Sequence, residues 1–147
     1  MITRAQFALQ LRRRLPLLLM DECAGAEGAV AVYTLSDPRD VRDVRYVGQT
    51  RSPPGRYRQH INKAGPWLPD EVPWWFKAPK DRPLHEWIRE LHRDGARLPL
   101  MIVCGWHPDI RAARAAERAL IYLCLEQGLP ILNVEAQIAL RRACASS

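Results

Sequence analysis

Apolar positions recur along this chain with two different periods, and the switches between them mark out its elements. Residues 29–35 (AVAVYTL) are apolar and rich in β-branched side chains, which predicts a strand. Residues 43–49 (DVRYVGQ) alternate polar and apolar and predict a second strand. SDPRD supplies turn chemistry between them, with Pro38 fixing one φ angle, so the pair reads as a hairpin. SPPG then opens a helix over RYRQHINKA with proline in its first turn. In PLHEWIRELHRDG, Leu84, Ile88 and Leu91 share one helical face, and Gly95 ends the helix. RLPLMIVCGW predicts a buried strand. PDIRAARAAERALIYLCLEQG predicts a long helix with Asp109 as N-cap and Gly128 just past its end.

The two ends and one middle segment behave differently. Phe7, Leu11, Leu15 and Leu18 lie three or four apart, which predicts an amphipathic helix over 3–20, broken or kinked at Pro16. LPILNVEAQIALRRAC closes the chain with a further helix. Residues 64–83 hold five prolines and three tryptophans and predict no regular element. The expected organisation is a helical extension over 1–28, a domain over 29–135 interrupted by the insert at 64–83, and a helix or tail over 136–147.

Composition narrows the class. A chain of 147 residues favours one domain, and 48% apolar residues suffice for a core. No apolar run approaches the roughly 18 residues of a membrane span. LPLLLM near the N-terminus follows arginines, but it contains Pro16 and stops at Asp21 and Glu22. It falls short of the roughly 7–15 residues of a secretory core, so a helical extension is expected instead. Cys23, Cys104, Cys124 and Cys144 form no C-x-x-C pair. Cys104 and Cys124 sit in apolar runs and are expected as buried thiols of a cytoplasmic protein. Cys104 and His107 offer two metal ligands without a second pair, so no zinc site is expected.

The net charge of +6 favours a polyanionic partner. Its distribution sharpens this. Arg39, Arg42, Arg45, Arg51, Arg56, Arg58 and Lys63 crowd the hairpin and the helix after it, against only Asp40 and Asp43 in the same stretch.

Candidate chemistry lies in the same place. A symmetric turn between Arg39 and Asp40 would set Tyr33 opposite Tyr46 and Ala31 opposite Gly48, leaving an open floor beside two phenols. A slip of one residue would send the phenols to opposite faces. The pair is either a cross-strand aromatic contact, at about 0.5–1 kcal/mol, or a reactive arrangement. Arg56 and His60, four apart, share a helix face. A guanidinium grips phosphate bidentately, and a histidine beside it can donate a hydrogen bond or move a proton. On the long helix, Ala113, Ala116, Leu120, Leu123 and Cys124 trace the expected core stripe, with Glu117 on its border. Glu117 either pairs with Arg114 or holds a hard cation.

AVY at 31–33, YVG at 46–48, Arg56, His60, Glu117 and Asn133 resemble, in order and spacing, the motif set of the GIY-YIG nuclease superfamily. YVGQT with the arginine–histidine helix, and ERALIYLCLEQGLPILN, carry most of the resemblance, which spans roughly 29–135 without the insert. It implies an α/β (α+β) fold, a three-stranded antiparallel sheet flanked by helices, and metal-dependent cleavage of nucleic-acid phosphodiesters, DNA or RNA. It further implies that Glu117 holds one Mg²⁺ or Mn²⁺, that Tyr33 helps to activate water, and that Tyr46 orients the network. Arg56 would bind phosphate, with His60 assisting and Asn133 supporting the site. Arg45, Gln49, Arg51, Arg58 and Lys63 are the candidate nucleic-acid contacts, joined by Trp74 and Trp75 of the insert. One carboxylate fits one metal, since a two-metal site needs several.

The chain departs from the pattern at Ala31, where the family has glycine, and in the insert. That segment is a stacking element, a lid, a dimer contact, or an apolar stretch buried against the domain. Two other readings compete with the nuclease. One is a degenerate module that binds nucleic acid without cutting it. The other is an interaction subunit docking through PWLPDEVPWWF.

Overall fold

A computed structural model describes residues 28–66 and 82–133. The expected N-terminal helix, the C-terminal segment, and most of the insert, with Trp67, Trp74 and Trp75, lie outside the described residues. Two strands come first, β1 (Val30–Asp37) and β2 (Asp40–Thr50), then the helices α1 (Pro53–Ala64) and α2 (Arg82–Arg93). Strand β3 (Leu100–His107) and helix α3 (Ile110–Glu126) complete the order. The strands form one antiparallel sheet in the order β2-β1-β3. The expected α+β class and three-stranded sheet are therefore observed. No described helix is long and apolar enough to cross a membrane.

β1 is central in the sheet and buried along its whole length. Its alternate side chains feed two separate cores. Tyr33 and Leu35 pack with Tyr57, Ile61, Leu84, Trp87, Ile88 and Leu91 of α1 and α2. Val30 and Val32 pack with Val47 and with Ala113, Ile121 and Cys124 of α3. A strand covered on both faces has no solvent side to keep polar, which is why its sequence reads as a nearly continuous apolar run.

The helix ends follow their sequence signals. Ser52 caps α1 by accepting a hydrogen bond from the Gly55 amide at 3.3 Å, with Pro53 and Pro54 in the first turn. Gly65, at φ 54°, closes α1 in the left-handed conformation that β-carbons disfavour. Asp109 caps α3 by accepting from the Ala112 amide at 2.8 Å.

Three expectations change. The hairpin register is displaced by two residues: Tyr33 faces Gly48, and Leu35 faces Tyr46. β2 carries extra residues in irregular pairings between Leu35 and Asp37, and these absorb the difference. An even displacement keeps the faces, so the two tyrosines remain on one side of the sheet as diagonal neighbours. Cys104, expected to be buried, is exposed. Its neighbours Val103 and Gly105 pair with Tyr33 and Val32, so Cys104 is the extra residue of a bulge in β3. Cys124 is buried as expected. Leu123, placed in the core stripe of α3, is 48% exposed, and Ile121 is buried instead.

Candidate active site

The loss of Leu123 from the stripe moves Glu117. The residues four before and four after it, Ala113 and Ile121, are both buried, as is Cys124 seven after it. Glu117 therefore projects from the middle of the sheet-facing side of α3 and is itself partly buried. Helix packing alone would put an apolar residue there.

β1, β2 and α1 build the rest of the cluster. His60 lies on the buried side of α1 with Tyr57, Ile61 and Ala64, and is only 2% exposed. Its Nε2 is 2.6 Å from the Tyr33 hydroxyl. The Tyr46 ring centroid is 6.3 Å from that of Tyr33 and 5.3 Å from His60, edge-on to the imidazole. Arg56, one turn before His60 and partly buried, sits within hydrogen-bonding reach of both phenols. Glu117 acts on Tyr33 electrostatically from α3. Tyr33, Tyr46, Arg56 and His60 thus form one contiguous group, with the Glu117 carboxylate in its field.

Gly48 makes this packing possible. The Tyr33 ring lies across it, and a β-carbon at Gly48 would stand 2.5 Å from Cζ of the phenol. The open floor expected between the tyrosines is occupied by Tyr33 itself, which is completely buried. Ala31 pairs with Thr50 and Trp106 and is fully buried.

The protonation states follow from burial. Burial pushes the Tyr33 pKa well above its ordinary value, Tyr46 and Glu117 add to the rise, and Arg56 opposes it. Burial likewise lowers the His60 pKa to about 3, with the positive fields of Arg56, His85 and Lys63 acting in the same direction. Both partners of the 2.6 Å bond are therefore neutral at neutral pH. A phenol O–H donated to Nε2 satisfies both groups, with the imidazole proton on Nδ1.

Asn133 does not enter the cluster. Its Oδ1 accepts from the Val47 amide at 3.0 Å and its Nδ2 donates to the Val47 carbonyl at 2.7 Å. Leu132 adds a backbone bond to the Arg45 carbonyl at 2.7 Å. The segment thereby clamps the outer edge of β2 between Tyr46 and Gly48.

The candidate nucleic-acid contacts divide. Arg51, Arg58 and Lys63 are exposed. Arg45 is not open in the same way: its guanidinium is bound to Asp43 at 2.9 Å and lies over the Trp87 ring, 5.7 Å from its centroid. Arg39 and Arg42 are likewise paired with Asp37 and Asp40. The positive run of the hairpin is thus largely neutralised two residues at a time, and among the described residues that of α1 is not. Gln49 lies on the α3 side of β2 with Val47, and its side-chain oxygen is buried with no hydrogen-bond partner among the described residues.

Sequence reasoning missed His85 of α2, 4% exposed, whose ring centroid is 6.5 Å from that of His60. The signal was available, because His85 directly follows Leu84 and lies three before Ile88, at the edge of the apolar face.

The donor set bears on the implied metal. Among the described residues no group of three or more His, Cys, Asp or Glu could hold an ion. Glu117 is the carboxylate near the cluster. That suits Mg²⁺, which dehydrates reluctantly and is commonly held by one or two carboxylates together with substrate phosphates. In comparisons with known proteins, no family model, no curated protein and no solved structure matches this chain.

Proposed function

We propose that the protein is a metal-dependent endonuclease that hydrolyses phosphodiester bonds of nucleic acid, DNA in the first instance, and resembles the GIY-YIG nucleases. The observation that carries this reading is the meeting of Tyr33, Tyr46, Arg56 and His60 on one face, with Glu117 projecting toward the sheet from the opposite helix. Neither core needs a carboxylate, a guanidinium and an imidazole for its packing.

In this reading Glu117 would hold Mg²⁺ or Mn²⁺, which would supply charge stabilisation at the phosphate and its leaving oxygen. Arg56 binds a phosphate oxygen, and Tyr46 orients the group. Tyr33 and His60 are both held neutral, so Tyr33, with its hydroxyl bonded to His60 Nε2, helps to activate the attacking water by orienting it, and the proton of that water leaves to solvent. Asn133 keeps β2, and with it Tyr46 and Gly48, in register.

Nicking of supercoiled plasmid in Mg²⁺ or Mn²⁺ tests the proposal. Cutting is expected from the wild type and is lost in EDTA and in Glu117→Gln. Undiminished cutting by that variant overturns the assignment of Glu117. The second reading, a module that binds without cutting, is favoured by the complete burial of Tyr33. It predicts salt-sensitive binding with no cleavage in either metal.

A further inference from the structure

The outer side of α3 carries a basic ridge outside the cluster just described. Arg111, Arg114 and Arg118 are spaced three and four apart, so they project from one side of the helix, and all three are exposed. Tyr122, four residues beyond Arg118, continues the same side and is 54% exposed. None of the three arginines takes part in an ion pair among the described residues. This separates them from the hairpin arginines, each of which is held by an aspartate.

The ridge works against the helix that bears it. The first turn of α3 contains no acidic residue, and Arg111 and Arg114 stand near the end where the helix dipole is already positive. Arg111 with Arg114, and Arg114 with Arg118, are like-charged neighbours that weaken a helix by about 0.2–0.5 kcal/mol per pair. Glutamine at Arg114 would remove both of these repulsions. The helix dipole and the three guanidiniums sum to a concentrated positive field, which an anion spread along the helix would neutralise.

The spacing fits one kind of anion. Seven residues of helix rise about 10.5 Å, and successive phosphates of one duplex strand advance about 3.4 Å along its axis. The three arginines therefore span about four consecutive phosphates, and Tyr122 follows one turn on, where it can stack on an exposed base. We infer that Arg111, Arg114, Arg118 and Tyr122 form a second nucleic-acid-binding track, which grips the phosphate backbone of a strand running along the outer side of α3. The inference rests on the nucleic-acid reading above and extends it to a surface separate from α1.

Binding of a fluorescent oligonucleotide across a salt series tests it, with Glu117→Gln as the background so that no cleavage intervenes. In R111Q/R114Q/R118Q, where glutamine preserves helix propensity, the slope of log K against log salt should fall by about 2 for a single strand and nearer 3 for a duplex. Tyr122→Ala should weaken single-strand binding several-fold and leave that slope unchanged. An unchanged slope in the triple variant, with the parent still binding, overturns the track and leaves the nuclease reading standing. Failure of the parent to bind any oligonucleotide overturns both. Tighter binding of the parent to phosphatidylserine vesicles or polyglutamate than to the oligonucleotide overturns the choice of partner. Circular dichroism of both variants, expected to match the parent, guards the comparison; loss of helix in the triple variant transfers the test to the three single substitutions, whose slopes should each fall by about 1.

Discussion

Burial of His60 makes the stability of this fold depend on pH, and glutamine at that position should remove its share of the dependence, leaving that of His92, whose pKa burial also lowers. In the native state the imidazole pKa lies near 3, chiefly because the ring is buried and secondarily because Arg56, His85 and Lys63 repel a further positive charge. In the unfolded chain it returns to 6.5. Between those values the unfolded state binds a proton that the native state does not. Stability is therefore fully present above about pH 6.5 and declines as the pH falls toward 3. Each unit of separation is worth about 1.36 kcal/mol, so acidification from pH 7.5 to 4.5 should cost the wild type about 2–3 kcal/mol from this group alone. Asp37, held below its ordinary pKa by Arg39, loses its contribution only at lower pH, outside that interval. His60→Gln keeps a side chain able to hydrogen-bond the Tyr33 hydroxyl and does not titrate. The assay is urea unfolding at several pH values, with the difference in slope between wild type and variant assigned to His60. The variant should lose about 2–3 kcal/mol less than the wild type over the interval. Parallel curves would refute the reasoning, because they would mean that His60 is protonated as easily in the fold as out of it.

Gly48→Ala places a β-carbon against the Tyr33 phenol, and the fully buried ring has little room to retreat. Overpacking of this kind costs about 1–3 kcal/mol, measurable by denaturation, and it should also displace the phenol from His60. Tyr33→Phe leaves His60 Nε2 buried without its 2.6 Å partner, at about 1–3 kcal/mol; turnover should fall far more than nucleic-acid affinity. Asn133→Ala strips both the amide and the carbonyl of Val47 of their partners and should destabilise by about 1–3 kcal/mol, with faster hydrogen exchange at the Val47 amide. Glu117→Gln, which keeps the shape and hydrogen-bonding capacity of the side chain, should abolish cutting while thermal melts still show a cooperative fold.

Local signals suffice for the elements and their ends. Apolar period, Ser52 and Asp109 as caps, the prolines after Ser52, and Gly65, Gly95 and Gly128 at positive φ act within a turn or two of chain. The sequence by itself therefore determines the hairpin, the three described helices, and the residue types able to handle phosphate. Register is another matter. Whether Tyr46 faces Tyr33 or Leu35 depends on where β2 accommodates its extra residues, and no local preference encodes that. The bulge that exposes Cys104 arises in the same way, from the pairing of two strands far apart in sequence.

The tertiary structure alone decides which charges are engaged and which groups ionise. Arg45 looks like Arg58 in the sequence, yet packing places it over Trp87 and against Asp43. Glu117 seemed to border the helix stripe, but the side of α3 that packs on the sheet carries Ala113, Ile121 and Cys124, which turns Glu117 inward and Leu123 out. The phenol of Tyr33 and the imidazole of His60 carry ordinary pKa values until the two cores close around the sheet. Their shifts arise from desolvation, and desolvation exists only once α1, α2 and β1 have been brought together.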